Sequence, residues 1–359
     1  MGSVLCCSCN ALCLALSSCQ PTSNSALKAS YLWLLFSTVL LSLCFLYFPL
    51  SADLLGLAAN LDCGTACSGR IVTLLWLSFA GLSVLQALLV LIYRDGCVFI
   101  KFCIYLGLFI GSLWLPEAVV QWYVWSSDAA YLLFYILQSV LVVVHSYSLN
   151  DYLYAYDSVF YLFGTTILAV LGSVACLGLS LWHYYPLEDL VLFFLCFTAG
   201  QIILLALVSQ LPCFENGSLL TSSVTGTYIS YLCLNYLRHT VGKEGWMEVT
   251  TGLEVLIAAG ILLWTTSTWG LAEDSEIAEP LVDKERKEQA DGSGEMLAFH
   301  LVLLLTSLFF TVSLRSLTYT SAVDSDFLLW GKFAAQCVAS GLFLWTLLAP
   351  VLLPDRFDA

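Results

Sequence analysis

The sequence predicts an all-α integral membrane protein with about ten transmembrane helices. Of its 359 residues, 60% are hydrophobic and only 11% are charged, whereas a soluble domain is about 45–50% apolar and about 25% charged. The mean hydropathy of +0.89 is too high for a chain that must cover its surface with polar groups. The bilayer is therefore the solvent, which excludes a soluble enzyme, a disordered chain and a secreted disulfide scaffold.

Ten apolar runs have the length that a spanning helix needs, about 20 residues for roughly 30 Å of hydrocarbon. They are apolar throughout, whereas the strands of a membrane barrel alternate between apolar and polar residues. The fourth run covers roughly 43 Å as a helix, so we expect it to tilt or protrude. The predicted spans are Ala26–Phe48, Ile71–Tyr93, Cys97–Leu115, Val119–Tyr147, Ser158–His183, Leu190–Leu211, Leu219–Leu237, Val249–Trp269, Met296–Leu317 and Phe327–Leu353.

The chain divides by composition into five segments. A cysteine-rich stretch (1-25) precedes helices 1–8 (26-270), and helices 9–10 (296-353) precede a short tail (354-359). Between the two helical groups, residues 271-295 hold nine acidic and three basic residues, and so carry −6 of the net charge of −14. Such a segment is typically a solvated linker, and we expect it in the cytosol. The acidic balance also argues against nucleic acid as a partner.

Basic residues in the short loops favour cytosolic N- and C-termini. This orientation places seven lysines and arginines on the cytosolic side of the membrane and four on the opposite side. In this orientation Cys63 and Cys67 face an oxidising compartment, where a disulfide between them would persist. The sequon at Asn216 would be cytosolic and unused. The N-terminal cysteines either pack against the first helix or carry lipid, and the sequence leaves both open. Cys6 and Cys9 have the C-x-x-C interval of a metal site, but no histidine or second pair completes it, and no cofactor motif appears, so we expect neither a metal nor a cofactor.

Ionisable side chains inside the spans are candidate functional groups, because a charge at mid-bilayer is costly unless it is paired or hydrated. His300 and Lys332 are the strongest of them. For Lys101 and Asp128, snorkelling to the membrane interface is the competing interpretation. Glu254 lies near the start of its predicted span, which leaves its depth open.

The seventh span is unusually rich in hydroxyl groups. Its Ser223, Thr227, Ser230 and Tyr231 share one helical face by their spacing. Such a stripe either joins helices or lines a hydrated groove, and joining helices is the more frequent role. No catalytic motif appears, and four histidines in the whole chain leave little room for acid–base chemistry. We therefore expect a protein that is not an enzyme.

Several motifs recur in an order and spacing that extend over nearly the whole chain. They are Met1-Gly2, Phe99-Ile100-Lys101, Gly111-Ser112, Pro116, Gly217-x-Leu219-Leu220-x-Ser222-Ser223, Tyr228-x-x-Tyr231-Leu232, Phe299-His300, Trp330-x-Lys332, Trp345-Thr346-Leu347-Leu348-Ala349-Pro350 and Arg356-Phe357. Together they resemble the serine incorporator family, polytopic membrane proteins of eukaryotes that are also called the TMS membrane protein family. In the fourth helix Gln138 and Asn150 match the family, but Val144 and Tyr147 stand where the family has Asp and His.

The resemblance implies two four-helix bundles separated by a long diagonal helix, with a lipid-accessible groove between the bundles. It also implies support of phosphatidylserine and sphingolipid synthesis, and passive transfer of lipids between leaflets. Location in the eukaryotic endomembrane system or the plasma membrane follows from it. Membrane lipids, above all phosphatidylserine and sphingolipids, are then the expected partners, and homo-oligomerisation stays open.

We expect headgroups to pass along a hydrated polar groove while acyl tails stay in the bilayer, because hydroxyls and cations lower the cost of desolvating a headgroup. The predicted groove residues are Ser222, Ser223, Tyr228, Tyr231, Lys332, His300, Lys101 and Gln138. One alternative is a carrier of serine, or a scaffold that gathers serine-using lipid synthases. Another is a structural membrane protein with no transported substrate, since each of these residues also has a credible role in helix packing.

Overall fold

The structure of the protein is a computed structural model that describes residues 24–47, 67–92, 98–155, 159–186, 188–212, 214, 217–241, 251–261, 281–315 and 325–352. Every regular element within these ranges is an α-helix, which confirms the predicted all-α class. In chain order the helices are α1 (Asn24–Tyr47), α2 (Cys67–Ile92), α3 (Val98–Ser112), α4 (Glu117–Ala155), α5 (Val159–His183), α6 (Asp189–Ser209), α7 (Leu219–Val241), α8 (Thr251–Ile261), α9 (Leu281–Arg315) and α10 (Ser325–Leu352).

Six of the described helices are long and apolar enough to cross a bilayer, namely α2, α4, α5, α6, α9 and α10. The described apolar parts of α1, α3 and α8 are shorter, at 10–17 residues. α7 has 23 residues, but its hydroxyl groups and Asn235 make it less apolar than α2, α4, α5, α6 and α10. The predicted spans thus coincide with helices in order, although α8 is described over only part of its predicted length.

The overlong fourth helix is present and exceeds its predicted length. α4 has 39 residues and is therefore about 58 Å long. It extends beyond the predicted Val119–Tyr147 because neither glycine nor proline interrupts the sequence between Glu117 and Ala155. A helix of this length exceeds the roughly 30 Å of a hydrocarbon core and must cross it obliquely or protrude.

The start of one helix differs clearly from the sequence expectation. α9 begins at Leu281, inside the acidic segment that we interpreted as a linker, because residues 281–295 are rich in the helix formers Lys, Glu, Arg, Gln and Ala. α10 continues past Pro350 to Leu352, in agreement with the predicted end of the tenth span at Leu353. The predicted disulfide between Cys63 and Cys67, the N-terminal cysteines and the Asn216 sequon lie outside the side chains that the structure describes.

One compact unit covers residues 1–131 and 262–320, and holds α1, α2, α3, α9 and the first part of α4. α2 is its central helix and packs most extensively on α9. The buried ring of Trp76 lies 5.0 Å from that of Phe310 in this contact. Two ion pairs, Arg70 with Glu117 and Arg315 with Asp128, each have a shortest N–O distance of 2.9 Å. They join the start of α4 to α2 and α9.

The second compact unit covers residues 132–261 and 321–359, and holds the rest of α4, α5 to α8 and α10. α7 is central and packs on α5, α10 and α6. The approach of α5 is close because Gly172 has no side chain: a Cβ there would lie 3.0 Å from the methyl group of Thr227. Gly217, before α7, is required for a similar reason, since a Cβ would come well under 3.0 Å from the carbonyl oxygen of Ser209.

Candidate functional site

The second unit buries two opposite charges beside each other. Lys332 of α10 and Glu254 of α8 are both fully buried, and the Lys332 Nζ lies 4.0 Å from the Glu254 Oε1. Lys332 also donates a hydrogen bond of 3.1 Å to the Asn235 side-chain oxygen, and its Nζ lies 5.4 Å from the centre of the Tyr135 ring. We call Tyr135, Asn235, Glu254 and Lys332 the buried charge cluster.

Hydrogen bonds connect the four members of this cluster. The Tyr135 hydroxyl donates to the Glu254 carboxylate. The Asn235 amide nitrogen donates to the hydroxyls of Tyr135, at 2.8 Å, and Tyr231, at 3.1 Å. Asn235 therefore contacts the lysine through its oxygen and the tyrosines through its nitrogen. This arrangement satisfies both ends of the buried amide and keeps the two charges paired, as a low-dielectric interior requires.

A second polar contact lies between α4 and α7. The Tyr228 hydroxyl is 3.4 Å from the Gln138 side-chain oxygen, which accepts a hydrogen bond from it, and Ser139 donates to the same hydroxyl at 3.5 Å. Both Gln138 and Tyr228 are buried, and the Gln138 amide nitrogen has no hydrogen-bond partner among the residues that the structure describes. The structure thus brings the predicted residues Gln138 and Tyr228 together, and the predicted Tyr231 and Lys332 meet at Asn235.

The serines at the start of α7 form a separate group. Ser209 of α6 donates a hydrogen bond of 3.2 Å to Ser222, whereas Ser223 donates to the Leu219 carbonyl within its own helix. Further along α7, Thr227 donates to the carbonyl oxygen of Ala169 on α5 at 2.6 Å. Of the hydroxyl stripe, Thr227 thus joins two helices, whereas Ser223 and Ser230 donate within their own helix.

Lys101 and His300 lie in the first unit, with Tyr31. The Lys101 Nζ lies 4.5 Å from the centre of the Tyr31 ring, and the His300 imidazole meets the same ring edge-on at 4.9 Å. Lys101 is only 4% exposed, so the snorkelling interpretation is wrong for it. Its cation is stabilised instead by the face of an aromatic ring.

Asp128 is partly buried and forms an ion pair. Its carboxylate accepts a charged hydrogen bond of 2.9 Å from Arg315, at the end of α9, and both side chains are mostly buried. A paired carboxylate in this position stabilises the junction of two helices.

Every predicted groove residue is buried, with Ser223 the most exposed of them at 8%. The helices around them present apolar side chains outward, and on α5 only Thr166, Ser173 and Ser180 are buried. The interior therefore offers hydrogen bonds and paired charges, in a body whose surface is suited to lipid tails. Chemically, such groups can replace the water around a polar headgroup or a small zwitterion.

Sequence reasoning did not identify Tyr135, Asn235 and Glu254 as neighbours of Lys332. The available signal was the presence of a carboxylate and an amide inside apolar runs, since such groups almost always have partners in membrane proteins. Their pairing was not accessible, because Glu254 and Lys332 are on different helices that are far apart in the sequence.

Comparison with known proteins confirms the family resemblance of the sequence. A sequence model of the family described as "Serine incorporator (Serinc)" matches residues 5–241 and 266–356. Among curated proteins, "Serine incorporator 2" of Bos taurus is 23% identical over 373 residues, a match that covers 84% of this chain and 81% of the relative. The family match includes the helices of all eight predicted groove residues. The stretch 242–265, which contains α8 and Glu254, lies between the two matched ranges.

Proposed function

Because this chain belongs to the serine incorporator family, we propose that it is a non-enzymatic membrane protein that moves lipids passively between leaflets. In this role it supports the synthesis of serine-derived lipids, phosphatidylserine and sphingolipids. Its lipid partners are then its substrates. We place it in the endomembrane system or plasma membrane of a eukaryotic cell, with cytosolic termini and the Cys63–Cys67 loop on the opposite side.

The observation that supports this proposal is the polar interior of the second unit. Hydroxyl, amide and ammonium groups of Tyr228, Gln138, Asn235 and Lys332 are buried in a body built from membrane-spanning helices. A headgroup that crosses the bilayer must exchange its water for other hydrogen-bond partners, and groups of this kind lower that cost. The acyl tails need no such partners and stay in the surrounding lipid.

Transfer requires a second conformation, since these side chains are enclosed in the structure described above. The contact between α7 and α10 carries the hydrogen bond from Lys332 to Asn235, and its opening would bring both side chains to the surface. Population of that state, even at a few per cent, sets the transfer rate. A passive transporter needs no further energy source.

The buried charges also support a second proposal, a carrier of serine. An amino acid is a zwitterion, and the Lys332 Nζ and the Glu254 Oε1, 4.0 Å apart, present the complementary pair of charges. A carrier would transport radiolabelled serine into liposomes without moving lipid. A scaffold for serine-using synthases would do neither, and would instead retain those enzymes in a pull-down.

Substitution of Gln138 tests the proposal. We expect Gln138→Leu, which removes the amide that accepts from Tyr228, to slow lipid exchange several-fold in liposomes while keeping the side-chain volume. Leu168→Val, on an exposed face of α5, is the matched control and leaves the rate unchanged. An unchanged rate in a folded Gln138→Leu protein would remove this residue from the lipid path. Serine uptake by the same liposomes would favour the carrier instead.

A further inference from the structure

One amide of the second unit lies near the middle of an apolar helix and is only partly buried. It is Gln201 of α6, and α6 has the highest mean hydropathy of the six candidate spans among the described helices. The nearby Ile203 and Leu204 face outward and are 60% and 50% exposed. A polar side chain at this depth is costly unless it has partners, so Gln201 is a candidate functional residue.

A row of hydrogen bonds leads from Gln201 into the interior. The Gln336 amide nitrogen, on α10, donates to the side-chain oxygen of Gln201 at 2.6 Å and to the Thr198 hydroxyl at 3.0 Å. The Thr198 hydroxyl oxygen lies 3.5 Å from that of Tyr236, which directly follows Asn235 of the buried charge cluster. Gln336, Thr198 and Tyr236 are fully buried. We call Gln201 and Gln336 the amide pair; it connects the lipid-facing surface with the polar interior.

The side-chain oxygen of Gln336 has unused hydrogen-bonding capacity. It is buried and has no hydrogen-bond partner among the residues that the structure describes. Buried acceptors of this kind usually have a donor. An entering group with a hydroxyl or ammonium donor would supply one.

α6 and α10 both pack on α7 but meet one another along a narrow line. The ring centres of Phe194 and Trp330 are 5.8 Å apart, and those of Phe197 and Phe333 are 5.3 Å apart. The two helices therefore run parallel, with aromatic rings between their first turns and the amide pair beyond them. Separation of the helices at the amide pair breaks neutral hydrogen bonds, which cost less to exchange than a buried ion pair.

We infer that the polar interior opens to the bilayer between α6 and α10, and that the amide pair is where a phospholipid headgroup enters. The inference rests on the proposed lipid transfer and assigns its entry route. When the pair separates, each amide offers donors and an acceptor. The nitrogens donate to the phosphate oxygens of the headgroup, and the oxygens accept from its ammonium or hydroxyl groups. The headgroup thus exchanges water for protein partners while its acyl chains stay outside the two helices.

A reversible bridge between the two helices tests the route. The Gln201 side chain contacts the thiol of Cys337 on α10, so Gln201→Cys places a second thiol beside it, and mercuric ion can bridge the two. We expect the bridge to abolish most of the phospholipid exchange in liposomes, and dithiothreitol to restore it by removing the metal. Gln201→Cys combined with Cys337→Ser controls for the other cysteines, and mercuric ion should leave its rate unchanged.

A bridge between α10 and α4 is the matched comparison. Tyr147 of α4 and Thr346 of α10 are joined by a hydrogen bond of 2.9 Å. Cysteines at these two positions are bridged by a bifunctional maleimide long enough to replace the tyrosine side chain. Most of the exchange rate should remain, because this contact lies away from the amide pair. Loss of exchange with this bridge, and not with the α6–α10 bridge, would place the route between α4 and α10 and overturn the inference.

Gln201→Leu gives a readout that needs no bridge. It removes the amide at nearly constant volume, and we expect phospholipid exchange to become several-fold slower. Ile203→Val, on the outward face of the same helix, is the control and leaves the rate unchanged. A merely structural role of Gln201 would lower the unfolding midpoint of Gln201→Leu without changing the exchange rate of the folded protein.

The outcomes separate this inference from the proposed function. If the wild-type protein moves no lipid, lipid transfer itself is wrong. If the wild type moves lipid, and neither the completed α6–α10 bridge nor Gln201→Leu slows it, lipid transfer stands and the entry route is overturned. Failure of the bridge to form in folded protein would contradict the contact between Gln201 and Cys337 and overturn the route as well. Loss of exchange on bridging, with recovery in dithiothreitol, is the expected result.

Discussion

The strongest prediction about stability concerns Lys332→Met. Methionine has nearly the length of lysine and no charge, so the substitution removes the ammonium with little change in volume. The protein loses the ion pair with Glu254, the 3.1 Å hydrogen bond to Asn235 and the contact with the Tyr135 ring. Glu254 is then left as a fully buried carboxylate without its counter-charge.

The expected cost is about 3–5 kcal/mol, the range for removal of one partner from a buried ion pair. The cost of neutralising the orphaned carboxylate gives a second estimate of the same size. An orphaned carboxylate can bind a proton instead, and at neutral pH that costs about 4 kcal/mol, since neutrality lies roughly three units above the titration range of a free glutamate. Lys332→Met combined with Glu254→Gln removes both charges, so only the unpaired Asn235 oxygen remains, at about 1–3 kcal/mol.

Unfolding of the purified protein in mixed detergent micelles gives the free energies for the wild type, the two single variants and the double variant. The account predicts that the double variant is more stable than Lys332→Met alone. The coupling energy from this cycle should be at least about 1 kcal/mol. Equal stability of Lys332→Met and the double variant would show that Glu254 does not depend on Lys332, and would refute the reasoning.

Three further predictions concern the stability contributed by a glycine, by two ion pairs and by a cation–ring contact. Gly217→Ala should destabilise the protein by about 1–3 kcal/mol in the same unfolding assay, because the new Cβ meets a carbonyl oxygen, whereas Gly178→Ala has open space and should be neutral or slightly stabilising. Asp128→Asn should cost about 1 kcal/mol and Glu117→Gln less than about 0.5 kcal/mol, since the ion pair of Glu117 is the more exposed; equal costs would contradict this. Tyr31→Leu should lower stability more than Tyr31→Phe, because only the phenylalanine keeps a ring face for the lysine cation; equal midpoints in a thermal melt would argue against that cation–ring contact.

Most helices were predictable, because a segment that crosses the bilayer must be apolar over about 20 residues and such runs are visible in the sequence. The fifth span, predicted as Ser158–His183, is α5 at Val159–His183. The overlong α4 followed from counting apolar residues alone. The same counting of apolar residues missed the start of α9. Residues 281–295 are charged, so hydropathy does not mark them, but they are rich in strong helix formers.

The partners of the buried charges were not predictable, because a single sequence indicates depth in the membrane but not which helices face one another. Asp128 and Arg315 are 187 residues apart and form an ion pair. Tyr135 contacts Glu254, and nothing in their local sequences indicates it. The predicted groove residues are buried polar groups, while their arrangement into separate clusters required the structure.

Leaflet exchange by the purified wild-type protein tests the central claim most directly. Liposomes that contain a fluorescent phospholipid are treated with a membrane-impermeant quencher, while a trapped soluble dye reports leakage. The account predicts that quenching proceeds well beyond the outer-leaflet share, in proportion to the protein added, with the trapped dye retained. Quenching that stops at the outer-leaflet share, in vesicles shown to contain folded protein, would contradict lipid transfer.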